Sequence, residues 1–287
     1  MKKSYTRTSG LANRLRQLGL TALLAGAAAF GAHAQGLYYT TLSSQNTTST
    51  FADLGTAGSA IATANTDDDN SAAQNIGFSF TYNGTAFTQF VLNTNGLIRM
   101  GAAAPSAANM FLQNETATTN PVGVDPISST SPADVDLLLP FNFDLESSSA
   151  TATAEYRVAT TGTAPNRVCT IQWKNVHDKA ATSTSQFASL TFQVKLYETS
   201  NQIEFVYGAA TAATTGTVIG RYATIGLKSA SGAVGQTLLV SKGSSATAWS
   251  TATFVSGTGT RLFFRSTFLP DAGRTFRYTV GPANDAA

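Results

Sequence analysis

One stretch constrains the fold more than any other. Leu190, Phe192, Val194 and Leu196 alternate with Thr191, Gln193, Lys195 and Tyr197. After the polar break Glu198-Thr199-Ser200-Asn201-Gln202, the residues Ile203, Phe205 and Tyr207 alternate with Glu204 and Val206. A period of two sends neighbouring side chains to opposite faces of an extended chain, so this is a β-hairpin. The preceding run has the same period, with Cys169, Ile171 and Trp173 against Thr170, Gln172 and Lys174. The turn-forming residues 162–166 and the segment Tyr156-Arg157-Val158 come before it. Residues 154–207 therefore read as a four-strand antiparallel meander with one buried face and one wet face.

The period recurs. Ile76, Phe78, Phe80 and Tyr82 alternate and end on Asn83-Gly84, a hairpin-turn dipeptide. Further strands are expected at 87–92, 96–100, 222–227, 237–240, 261–265 and 274–280. Residues 102–135 are rich in Ala, Ser, Pro and Asn and read as a long loop or cover. Residues 208–217 and 243–260 read as loops. No stretch beyond residue 35 carries a capped apolar repeat of helical period. The expected fold is all-β: a single antiparallel β-sandwich over residues 35–287, of jelly-roll or related Greek-key type.

Residues 1–34 read as a secretory signal peptide. Lys2, Lys3, Arg7, Arg14 and Arg16 precede the apolar stretch 18–30, and Ala32-His33-Ala34 stands before Gln35 as a cleavage site. The apolar stretch falls short of the roughly 20 residues that span a bilayer. Without this leader, 13 basic residues face 16 acidic ones, so the net charge of +2 becomes −3. A mildly acidic chain lacks the basic footprint of a nucleic-acid binder and the polybasic patch of a membrane-surface binder. No transmembrane segment is expected in the mature chain. Its expected location is secreted, cell-surface or periplasmic.

Cleavage would leave His177 as the one histidine, beside Cys169 as the one cysteine. A catalytic triad would need His177 as base, but Asp178 is its sequence neighbour and points to the opposite strand face. No Gly-x-Ser-x-Gly elbow, phosphate-binding glycine loop or His-Glu-x-x-His motif is present. His177 reads as an exposed loop residue, and Cys169 and Trp173 as core residues. No catalytic residue is assigned. Asp67-Asp68-Asp69-Asn70 offers alternating oxygen donors, and Asp67, Asp69 and Asp144 are candidate calcium ligands. Calcium is the one cofactor the sequence suggests. Asp134, Asp136, Asp144 and Glu146 flank the run 137–143 and could supply the carboxyl pair of a glycosidase. Tyr197, Trp249 and Tyr38 are candidate aromatic platforms for a glycan.

Three stretches carry a family resemblance. They are Ile76-Gly77-Phe78-Ser79-Phe80-Thr81-Tyr82-Asn83-Gly84-Thr85 with Asn95-Gly96-Leu97-Ile98, then Gly162-Thr163-Ala164-Pro165-Asn166-Arg167-Val168 with Gln172-Trp173-Lys174-Asn175, then Leu196-Tyr197-Glu198-Thr199-Ser200-Asn201-Gln202-Ile203-Glu204-Phe205. Together they resemble a β-sandwich domain of large secreted Bacteroidetes proteins. There it commonly precedes fibronectin type III repeats and a type IX secretion sorting domain. The first stretch is also similar, more loosely, to nidogen-like extracellular domains. With no convergent catalytic set in the sequence, and this resemblance behind it, the chain is expected to be an exported, non-enzymatic module for adhesion or assembly at the cell surface or envelope, with glycans or envelope proteins as partners. The resemblance transfers no catalytic residue. A carbohydrate-binding module is the second reading, and a glycoside hydrolase the third.

Overall fold

Alternation becomes pairing in the computed structural model, which describes Met1 and residues 36–111, 123–148, 153–179, 185–259 and 261–281. The expected signal peptide falls outside the described residues. In the first half of the chain the strands are β1 (Tyr39–Thr48), β2 (Ser59–Ala60), β3 (Gln74–Tyr82), β4 (Thr85–Asn93), β5 (Leu97–Met100), β6 (Leu137–Asn142), β7 (Leu145–Ser147) and β8 (Glu155–Thr161). In the second half they are β9 (Val168–Asp178), β10 (Phe187–Tyr197), β11 (Ile203–Tyr207), β12 (Thr211–Ala212), β13 (Arg221–Lys228), β14 (Thr237–Ser241), β15 (Thr253–Ser256), β16 (Leu262–Phe264) and β17 (Arg274–Val280).

These strands form two antiparallel sheets, as the sequence led us to expect. The first has the order β1-β17-β11-β10-β9-β8-β2, with β12 beside β10 and β7 beside β9. The second has the order β15-β14-β13-β6-β5-β4-β3, with β16 beside β13. The meander β8–β11 is in place, with Phe192 opposite Trp173 and Val194 opposite both Ile171 and Phe205. Its apolar face joins Phe80, Phe90, Phe141 and Phe143 of the facing sheet in one core.

The polar face of the meander is drier than expected. Gln172 and Gln193 are wholly buried, because the segment between β1 and β2 lies over them as a strap. Gln193 Nε2 donates to the Ala52 carbonyl at 2.7 Å, and Leu54 N–H donates to Gln172 Oε1 at 3.1 Å. Gln172 Nε2 and Lys174 Nζ hold the two oxygens of Asp53 at 2.9 and 2.5 Å. Side-chain amides thus take up the polar groups of a strap that has no strand partner.

The outer face of the second sheet is covered too. Leu97, Leu137, Leu139 and Leu239 pack against Met110 and Ile127, so the described residues of the 102–135 segment act as the expected cover. Lys228 Nζ reaches across to the carbonyls of Pro126 and Ser129 at 2.7 and 2.9 Å.

Six strands lie where a loop or no regular element was expected, the short β2 and β7 among them. β12 and β15 fall inside the two expected loops, and β1 and β6 had no alternating signal. β6 runs through Pro140, which cannot donate to a ladder. It is tolerated because the β6–β13 pairing is irregular there, between the pairs Asn142–Thr224 and Leu139–Gly226.

Candidate functional site

Three segments converge at one end of the sandwich. The loop before β3 brings Asp67, Asp68 and Asp69, the junction of β6 and β7 brings Asp144, and the exit of β9 brings His177 and Lys179. The β4–β5 turn, Asn93-Thr94-Asn95-Gly96, is the frame they rest on. Thr94 N–H donates to the Asp69 carbonyl at 3.0 Å, and Asp69 N–H returns a bond to Thr94 Oγ1 at 3.0 Å. Thr94 Oγ1–H donates to the Asp67 carbonyl. Asn95 Nδ2 donates to Asp68 Oδ1 at 2.9 Å, while its Oδ1 accepts Leu145 N–H at 2.8 Å. One buried asparagine therefore fixes both acid-bearing segments. Gly96 closes the turn with φ +72, and a Cβ there would collide with the Phe141 carbonyl oxygen.

The carboxylates of Asp67, Asp68 and Asp144 come together, each offering an oxygen within 4.8 Å of the other two. Lys179 Nζ donates to Asp67 Oδ2 at 2.5 Å. Burial pushes the Asp144 carboxyl up to about 7; Lys179 opposes that shift, and Asp67, Asp68 and Glu146 add to it. His177 Nε2 lies 3.1 Å from Glu146 Oε1. His177 is thus partly buried within β9 and paired, not an exposed loop residue. Its neighbour Asp178 turns inward, where it accepts the amides of Gln186 and Phe187 and faces Arg221 at 3.4 Å, both side chains fully buried. The donor set at the surface is all oxygen, which suits a hard cation.

Two of the three expected calcium ligands, Asp67 and Asp144, belong to this cluster, and the third does not. Asp69 Oδ2 accepts the amides of Ala64 and Asn65, and Oδ1 accepts its neighbour Asn70 N–H at 2.9 Å, so it caps its own loop. Asp68 takes its place. Backbone turning explains the exchange, because a loop does not keep the strict alternation that singled out positions 67 and 69. Lys179 and Asn95 were also missed; the one signal was the Asn-Thr-Asn-Gly turn itself.

The glycosidase carboxyls are not assembled as expected. Asp134 is wholly buried and pins the cover, accepting Ser106 N–H at 2.8 Å, Ser106 Oγ at 2.7 Å and Ser129 Oγ at 2.5 Å. Asp136 has φ 53 and donates its N–H to the Ser229 carbonyl at 2.8 Å. Of that set, Asp144 and Glu146 alone reach the acidic end.

The aromatic candidates divide. Trp249, expected as a surface platform, is buried, stacked with Phe141 and Phe276, and its indole N–H donates to the Phe268 carbonyl at 3.0 Å. Tyr197 is half-buried, with its hydroxyl donating to Glu204 Oε2 at 2.7 Å. Tyr38 is exposed. A pair the sequence did not single out, Tyr222 and Phe263, stacks half-exposed at 4.1 Å across β13 and β16. Cys169 is buried, as expected from its strand face.

A family model described as NIDO related matches residues 39–280. No curated protein and no solved structure matches the chain. Among the described residues, no helix is long and apolar enough to cross a membrane.

Proposed function

The chain belongs to the NIDO-related family, and from that premise we propose that it is an exported, non-enzymatic module for adhesion or assembly outside the cell. Family membership points to an extracellular module. The finer reading is supported by the position of the side chains that chemistry would need. Cys169 lies in the core, His177 is tied to Glu146, Asp134 holds the cover and Asp178 faces Arg221. Each is engaged in holding the fold. What remains for function is a rigid double sheet that presents loops, the usual way such scaffolds meet partners.

Fractionation and protease shaving of cells that produce the full chain test this reading. The chain is expected outside the cytoplasmic membrane, and deleting it is expected to reduce attachment to glycan- or protein-coated surfaces. Retention in the cytoplasm, or turnover of a glycoside by the purified chain, would overturn it.

Carbohydrate binding is the second reading. The half-exposed Tyr222–Phe263 pair and the exposed Tyr38 favour it, because flat apolar rings near water can stack on sugars. A glycan array would show a preference that Tyr222→Ala removes; an unchanged profile would count against it.

A further inference from the structure

We propose that Asp67, Asp68 and Asp144 form a calcium site, with the Lys179 ammonium as the exchangeable counter-ion that calcium replaces. Oxygens around one calcium ion bond at about 2.4 Å and so stand up to about 4.8 Å apart. The three carboxylates meet that spacing although they come from segments far apart in sequence.

The second pointer is a pair of orphaned atoms. Asp144 is only 5% exposed, yet its Oδ1 has no hydrogen-bond donor among the described residues. Asp67 Oδ1 is buried and equally without a donor. Buried carboxylate oxygens are costly to leave unmatched. Elsewhere among the described residues they are matched: Asp134 by two serines, Asp178 by two amides and Arg221, Glu204 by Tyr197 and Arg277. Among the described residues, the buried carboxylate oxygens that lack a donor are Asp67 Oδ1 and Asp144 Oδ1, and both lie in this one cluster.

Lys179 does not fill that role. It binds Asp67 through the other oxygen, Oδ2, and its side chain is 35% exposed, so it neutralises the cluster from the rim. One ammonium faces three carboxylates, with Glu146 close enough to add to the field at Asp144. A divalent ion brings twice the charge into the position the orphaned oxygens border, and frees Lys179 to turn toward water. The frame is already set, because Asn95 holds Asp68 and Thr94 holds the loop. Calcium suits this better than magnesium, since it accepts irregular oxygen cages while magnesium demands near-ideal octahedra and keeps its waters. Zinc would want nitrogen or sulfur donors, and His177 Nε2 is engaged with Glu146.

Melting of the chelator-treated chain with added calcium or magnesium is the test, backed by terbium luminescence. Tyr156 serves as antenna, since its hydroxyl donates to the Thr66 carbonyl at 3.3 Å beside Asp67. Calcium is expected to bind with a Kd of about 10⁻⁴–10⁻³ M, as in extracellular modules, and to raise the melting temperature by mass action. Magnesium should raise it less. Asp144→Asn should abolish the calcium shift, and Asp68→Asn should weaken it at least tenfold, which keeps the test intact if one variant fails to fold. Lys179→Met should tighten calcium binding severalfold, whereas loss of a purely structural ion pair would leave affinity for the ion unmoved. A melting temperature and terbium signal indifferent to calcium, or a shift that survives Asp144→Asn, would overturn the proposal.

Discussion

Trp249 and Cys169 are the residues whose chemistry depends most on where the fold puts them. Trp249 packs edge-on to Tyr207 and flat against Phe276, at the meeting point of the two sheets. Truncating it to alanine should cost about 3–5 kcal/mol, the range for large buried aromatics. Urea denaturation would read this as a lower midpoint; an unchanged midpoint would mean that the indole does not support the core. Its position was not legible because it sits in a single 3-10 turn, Trp249–Thr251, where no strand period marks the inward face. Cys169 was legible, since strand alternation aligns it with Ile171 and Trp173. Burial pushes its thiol up to about 12, with a hydrogen bond to Thr160 opposing. The thiolate is the reactive species, so iodoacetamide at pH 8 is expected to leave the native chain unlabelled and to label it in denaturant. Rapid native labelling would show that β9 opens locally.

At the scale of elements, legibility followed the alternation of apolar and polar residues. β3, β9, β10 and β11 each bury a row of apolar side chains on one face, and their period of two is plain in the sequence. β1 is an edge strand of mostly polar residues, and its pairing with β17 is irregular between Tyr39 and Ser44, so no period survives. Such irregularity also discourages edge-to-edge pairing with other chains. The strap after β1 has no apolar pattern at all; its signal lies in Gln172 and Gln193, polar residues that a wet face would also carry. Asp53 is its anchor. Burial pushes the Asp53 carboxyl up, but Lys174, the Gly55 amide and Gln172 outweigh that and hold it at about 2. An unfolded aspartate titrates near 3.9, so the native state favours the ionised form. The stabilisation is therefore full above about pH 4 and is lost as the pH falls toward about 2. Hydrogen exchange at residues 52–55 should accelerate over that window, and Asp53→Asn should flatten the dependence. The effect is moderated by solvent, since the side chain is 43% exposed. Strap amides equally protected at pH 5 and pH 2 would refute the anchor.

For the whole molecule, the decisive contacts join the two ends of the chain. β17 inserts between β1 and β11, with Phe276 opposite both Asn46 and Phe205. Nothing in the local sequence shows this, because a strand's period reports which face is buried and not which neighbour it finds. The acidic end follows the same logic: residues 67, 68, 144 and 179 share a place because sheets switch, and only the finished topology brings them together. A chain of this design cannot complete its first sheet until its last strand arrives, which makes the folding transition dependent on contacts more than 200 residues apart. Ending the chain after Gly273 would unpair one side of both β1 and β11 and strip buried Phe276 and Tyr278 from the core. Such a variant is expected to show no cooperative thermal transition and to bind a dye for exposed apolar surface, because the aromatic cluster around Trp249 loses a wall. Removing only residues 282–287 should leave the transition in place, since β17 ends at Val280 and Gly281 N–H already closes on the Tyr38 carbonyl. A cooperative melt from the shorter chain would mean that β1 and β11 can close the sheet without the strand between them.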